Sequence, residues 1–111
     1  MNTEIEDSSG NVFHDIGLPD AEGSLAKAEI ASQICVLIKK KKLTQGRVAK
    51  LLKITQPKVS HLLSGRLKGF SLEKLIRFLN ILGQDVNIST KPSKSGTGHM
   101  TVKPSMAARG R

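Results

Sequence analysis

The chain has 111 residues with 38% hydrophobic and 24% charged content, which suits one small domain with loose ends. A domain of that size builds a modest core and leaves little room for a deep catalytic cavity. Its formal charge of +9 and pI near 10.1 point to a polyanionic partner such as nucleic acid.

The charge is unevenly spread. Residues 1–23 hold Glu4, Glu6, Asp7, Asp15, Asp20 and Glu22 with no Lys or Arg, giving −6. Residues 24–91 hold 14 Lys or Arg against Glu29, Glu73 and Asp85, giving +11, and the final 20 residues add +4. An acidic arm thus precedes a basic body, and it suits either a basic protein partner or the body's own basic face. Cys35 is the single cysteine, so no intrachain disulfide or cysteine-based metal site is available. The apolar run "ICVLI" is too short to span a bilayer, and the acidic first residues lack the apolar core of a secretion signal. A reduced, cytoplasmic setting is the expectation, with no membrane contact.

In chain order, "MNTEIEDSSGN" has the polar composition of a segment that does not fold alone. "VFHDIGLPD" then places Val12, Phe13, Ile16 and Leu18 among Asp15 and Asp20. Such a segment either folds on a partner or covers one edge of the core. Residues 1–19 are therefore read as a flexible acidic arm, 20–90 as the folded domain and 91–111 as a disordered basic tail.

A first helix is predicted from about Asp20 to Lys41, with Leu25, Ile30, Ile34, Leu37 and Ile38 near the helical period and Cys35 inside the same stripe. Its end, Lys39 to Lys42, matches the negative end of a helix dipole. Thr44 is a good N-cap for a short second helix with Val48, Leu51 and Leu52 inward and the small Ala49 at a point of close approach. Thr55 caps a third helix after a turn of three residues. Ser71 caps a fourth, with Phe70 and Leu75 as a hydrophobic staple and Leu72, Leu75, Ile76, Leu79 and Leu82 at helical spacing; Gly83 stops it. "DVNIST" alternates Val86 and Ile88 with polar residues, a short strand signal whose only available partner is another subunit or protein.

The third helix carries the functional signal. Val59, Leu62 and Leu63 form one stripe, while Pro57, Ser60, His61 and Ser64 lie opposite, with Lys58 on a flank and Gln56 at the tip. Gln can bond adenine N6 and N7 together in a major groove, and Lys or His can donate to guanine; a good bidentate pair is worth about 1–3 kcal/mol. Pro57 loses nothing in the first helical turn, where its missing N–H has no partner, and its ring suits a thymine methyl group. Two short helices joined by a tight turn, the second polar at its exposed start, have the geometry of helix-turn-helix binders.

The stretch "LTQGRVAKLLKITQPKVSHLLSGRLKGFSLEKLIRFLNILGQDV", about residues 43–86, resembles the lambda-repressor-like (Cro/C1, XRE) helix-turn-helix family. It is most similar to HigA-type antitoxins, through "ITQPKVSHLLSG" and "FSLEKLIRFLNILG", and the arm "NVFHDIGLPDAE" resembles the one preceding the domain in that group. The resemblance implies an all-α fold, a compact four-to-five-helix domain with a short C-terminal strand and flexible termini, its helix-turn-helix proper at 44–65. It implies that Gln56, Pro57, Lys58 and His61 face base edges, and that Thr44, Gln45, Lys53, Ser64, Arg66 and Lys68 contact phosphates. Ala49, Ile54, Val59 and Leu62 match the positions that lock the two helices together. Lys53 stands where the family turn commonly has Gly.

The implied function is a DNA-binding antitoxin that represses its own operon as a homodimer and neutralises a RelE/HigB-like toxin. Val12, Phe13, Asp15, Ile16, Leu18 and Asp20 are the expected toxin contacts, and Val86 and Ile88 the expected dimer contacts. The alternative is a stand-alone Cro/C1-type repressor without a toxin. A basic domain for RNA or a membrane surface, using Lys39 to Lys42, is a third reading. No paired acids, Gly-rich phosphate loop or catalytic triad occurs, so neither an enzyme nor a small-molecule substrate or cofactor is expected. His14 and His99 have no second ligand at metal spacing, and Cys35 has no activating neighbour.

Overall fold

Four helices account for the described part of the chain. The computed structural model describes residues 20–104. Over these, α1 spans Asp20–Lys40, α2 Gln45–Leu52, α3 Gln56–Leu63 and α4 Leu72–Ile81. The acidic arm of residues 1–19, including Val12, Phe13, Asp15, Ile16 and Leu18, lies outside the described residues; Asp20 opens α1.

Helix α1 packs chiefly on α4, and α2 on α3. Between these pairs sits one core of Ile30, Ile34, Ile38, Val48, Leu52, Val59, Leu62, Phe70, Leu72, Leu75, Phe78, Leu79 and Leu82, with Ala26 and Ala31 letting α1 approach closely. Phe78, Ile34, Leu62, Leu75, Val48 and Val59 have essentially no exposed surface. Burying each of these larger side chains is worth about 1.5–3 kcal/mol. Phe78, absent from the sequence-derived stripe of α4, meets Phe70 edge-on at 6.1 Å between ring centroids. Leu25 and Leu51 are corrections in the other direction: both were expected inward and stand 70% and 40% exposed. On such short helices one apolar residue beside the stripe is enough to misplace its edge.

Side chains close the helix starts. The Thr44 hydroxyl accepts from the Arg47 N–H at 3.1 Å, Thr55 from Lys58 at 3.4 Å and Ser71 from Lys74 at 3.1 Å. The helix ends share another device. In each, the first or second residue past the helix turns left-handed and the next N–H reaches back five residues: Leu43 to Ile38, Ile54 to Ala49, Arg66 to His61 and Gln84 to Leu79. Gly65 and Gly83 supply the left-handed position at two ends, with φ of 83° and 96°. Lys42 and Lys53 supply it at the other two, with φ of 55° and 60°. A side chain there costs about 1–2 kcal/mol. The turn before α3 therefore takes a left-handed conformation at Lys53 without a glycine.

The expected strand at Val86 and Ile88 is not formed, and no strand occurs among the described residues. A strand needs a neighbour's N–H and C=O groups, and none of the described segments offers an edge. Val86 packs half-buried against the core, while Ile88 is 80% exposed. The tail has neither helix nor strand over 91–104, yet it is not detached. Glu22 accepts from the His99 ring at 2.5 Å and from the Met100 N–H at 3.2 Å, and Met100 and Val102 pack on the core. The His99 hydrogen bond, helped by the Met100 N–H, holds the Glu22 carboxyl below its ordinary pKa.

Candidate nucleic-acid interface

The tertiary packing leaves one side of α3 free. Val59 and Leu62 are fully buried and Leu63 half-buried, while Gln56, Pro57, Lys58, Ser60 and His61 are exposed. Of eight residues, α3 commits two to the core. The outward set is the one expected to meet base edges, and its backbone is held firmly. Thr55 caps the Lys58 N–H, and the His61 carbonyl accepts both the Arg66 N–H at 2.8 Å and the Ser64 hydroxyl at 3.2 Å. The Cα–Cβ directions at Gln56 and His61 are thereby set by the fold, as side chains that read bases require.

The start of α2 lies beside the start of α3. A Cβ placed on Gly46 would stand 3.7 Å from Gln56 Nε2 and 3.9 Å from Thr44 Oγ1, so the Gln56 amide rests over the first turn of α2. Thr44, Gln45, Lys53, Ser64, Arg66 and Lys68, the expected phosphate contacts, are all exposed. The Lys58 ammonium rests over the Phe70 ring, 5.5 Å from the centroid, toward the loop that carries Arg66 and Lys68. An exposed cation–π contact is worth about 0.5–1 kcal/mol, small enough to be exchanged for a guanine or a phosphate.

The field around this surface is uniformly positive. From Ile30 to Leu72 there are ten Lys or Arg and no Asp or Glu. Among the described residues the ion pairs are Arg77 with Glu73 and His99 with Glu22, both outside α2 and α3. Arg47, in the first turn of α2 and exposed, belongs to this surface and was not singled out from the sequence; Gly46 was also missed. A glycine within a helical pattern, flanked by a cap and a cation, is the signal that marks both.

The other candidate groups go elsewhere. Cys35 is half-buried and lines a shallow groove of about 330 Å³ between α1 and the end of α3, with Ser32, Leu63 and Leu67. Partial burial pushes its thiol pKa up, against a smaller opposite effect of Lys39, which makes it a poor nucleophile. No His, Cys, Asp and Glu cluster able to hold a metal occurs among the described residues, and no helix there is long and apolar enough to cross a membrane.

Two short capped helices in a tight turn, with the second exposed at its polar start, define a helix-turn-helix protein. Residues 12–91 match the family model described as a helix-turn-helix domain, and the chain belongs to that family. A solved structure described as an XRE-family transcriptional regulator is 38% identical, with a TM-score of 0.70. The match covers 78% of this chain and all of that one, which places the chain within the XRE type. No curated protein matches it.

Proposed function

We propose that this protein is a sequence-specific DNA-binding antitoxin. As a homodimer it represses its own operon, and through residues 1–19 with Asp20 it neutralises a RelE/HigB-like toxin. The observation that carries the DNA reading is the outward face of α3: Gln56, Pro57 and His61 stand free on a helix locked from behind by Val59 and Leu62. Gln56, Pro57, Lys58 and His61 meet base edges, and Thr44, Gln45, Lys53, Ser64, Arg66 and Lys68 hold the backbone, positioning the reading helix without specifying sequence. A dimer supplies the second half-site about 34 Å away that useful selectivity requires. The exposed Ile88 and the half-buried Val86 are the apolar side chains assigned to its interface.

The toxin half of the proposal rests on the acidic arm and the family resemblance. The decisive experiment is binding-site selection on random duplex DNA by the full chain and by a chain lacking residues 1–19, together with toxin neutralisation by both. The cut is made after residue 19 because residues 20–23 are the first turn of α1 and include Glu22. The same operator selected by both proteins, with neutralisation lost in the shorter one, is the expected result. Loss of DNA binding by the shorter protein overturns the division of labour. Intact neutralisation without the arm overturns the arm as the toxin contact, and no toxin-like neighbour in the operon leaves the stand-alone repressor.

A further inference from the structure

The chain repeats one short phrase. Lys42-Leu43-Thr44-Gln45 and Lys53-Ile54-Thr55-Gln56 are "KLTQ" and "KITQ". The two copies also share a conformation. Lys42 and Lys53 are left-handed at φ of 55° and 60°. Leu43 and Ile54 follow, half-buried and packed on the core. Thr44 and Thr55 are extended, with φ, ψ of −80°, 163° and −76°, 159°, and cap α2 and α3. The two copies converge, because Gly46 lies beneath both the Thr44 hydroxyl and the Gln56 amide. Each lysine is two residues, at most about 7 Å of chain, from its cap.

We propose that Lys42 is a further DNA-backbone contact paired with Lys53, and that both lysines hold left-handed helix ends because their cations are used there. The inference rests on the DNA-binding reading of α3. The end after α4, which leads to no DNA-facing helix, uses Gly83, which adopts the same conformation without strain; the end after α3 uses Gly65, with the backbone contacts Ser64 and Arg66 on either side of it. The two ends that open onto the DNA-facing helices use lysine instead. A match to the dipole of α1 does not account for Lys42, since Lys39 and Lys40 already fill its last turn. Both lysines are exposed, and neither has a carboxylate partner among the described residues. A cation placed just before each cap is held at a fixed height beside the groove, where a glycine would leave only backbone.

Two readouts separate charge from conformation. Lys42→Gln and Lys53→Gln remove the charge and keep the strained backbone, Lys42→Gly and Lys53→Gly remove both, and Lys42→Arg keeps the charge. Binding of the full chain to a mixed-sequence 30-base-pair duplex is measured over a salt series, alongside the thermal midpoint. Each Gln variant is expected to flatten the slope of log affinity against log salt by about 0.9. Each Gly variant is expected to do the same while raising the midpoint by about 4–8 °C. Lys42→Arg should bind like the parent. An unchanged slope in Lys42→Gln, with the parent binding in a salt-dependent way, overturns this proposal alone. A parent whose duplex binding has no salt dependence overturns the DNA reading with it.

Discussion

Helices α3 and α4 begin and end alike and are spent differently. Both start at a hydroxyl cap, Thr55 or Ser71, and both end at a left-handed glycine, Gly65 or Gly83. Yet α4 buries Leu72, Leu75, Phe78 and Leu79 of its ten residues, whereas α3 buries only Val59 and Leu62 of its eight. Capping and termination are local and serve either purpose. What separates a structural helix from a reading helix is how much of its surface the rest of the chain covers.

Substitution can break that contrast at several strengths. The largest effect belongs to α4: Leu75→Ala or Phe78→Ala should lower stability by about 2–5 kcal/mol in chemical denaturation, and DNA affinity of the molecules that remain folded should hold. If base preference shifts as well, α4 is not purely structural. Gln56→Ala and His61→Ala should show the reverse, with stability within about 0.5 kcal/mol of the parent. In binding-site selection each should lose discrimination worth about 1–3 kcal/mol at particular positions. An even loss across all sequences would show that these residues hold backbone rather than read bases.

The smallest effect lies at the far end of α1. That helix is about 30 Å long, and its last residues lead into Thr44, so Glu22 is remote from the edge proposed to face DNA. Because the His99 contact lowers the Glu22 pKa, its contribution is present above the ordinary carboxylate range and lost as pH falls through the lowered value. Thermal midpoints of the parent and Glu22→Gln should therefore differ near neutrality and converge in acid. DNA affinity at neutral pH should be the same for both; a weaker Glu22→Gln would mean the clamp reaches the reading surface.

Much of this was legible in the residues. Thr44, Thr55 and Ser71 each precede an apolar period and cap as expected, because a cap needs only its own first turn. The outward set of α3 was legible because Val59 and Leu62 leave only one side for Gln56, Pro57, Lys58 and His61. Leu25, Leu51 and Phe78 were misplaced or missed, since composition does not say which flank of a stripe a neighbouring helix will cover. Val86 and Ile88 alternate like a strand, but alternation supplies no pairing partner. The Lys58 ammonium over Phe70, twelve residues away, and the Glu22 clamp, which joins residues 77 and 78 positions apart, were beyond any local signal.

The sequence by itself determined where helices start and stop, the acidic-then-basic charge order and the polar set on α3, because these depend on contacts within one or two turns. The tertiary structure alone decided that the starts of α2 and α3 meet at Gly46, that the Lys58 ammonium lies over Phe70, and that residues 99–102 return to α1. The reason is that these features depend on which surfaces find one another across the chain, and a residue's neighbours in sequence carry no record of that.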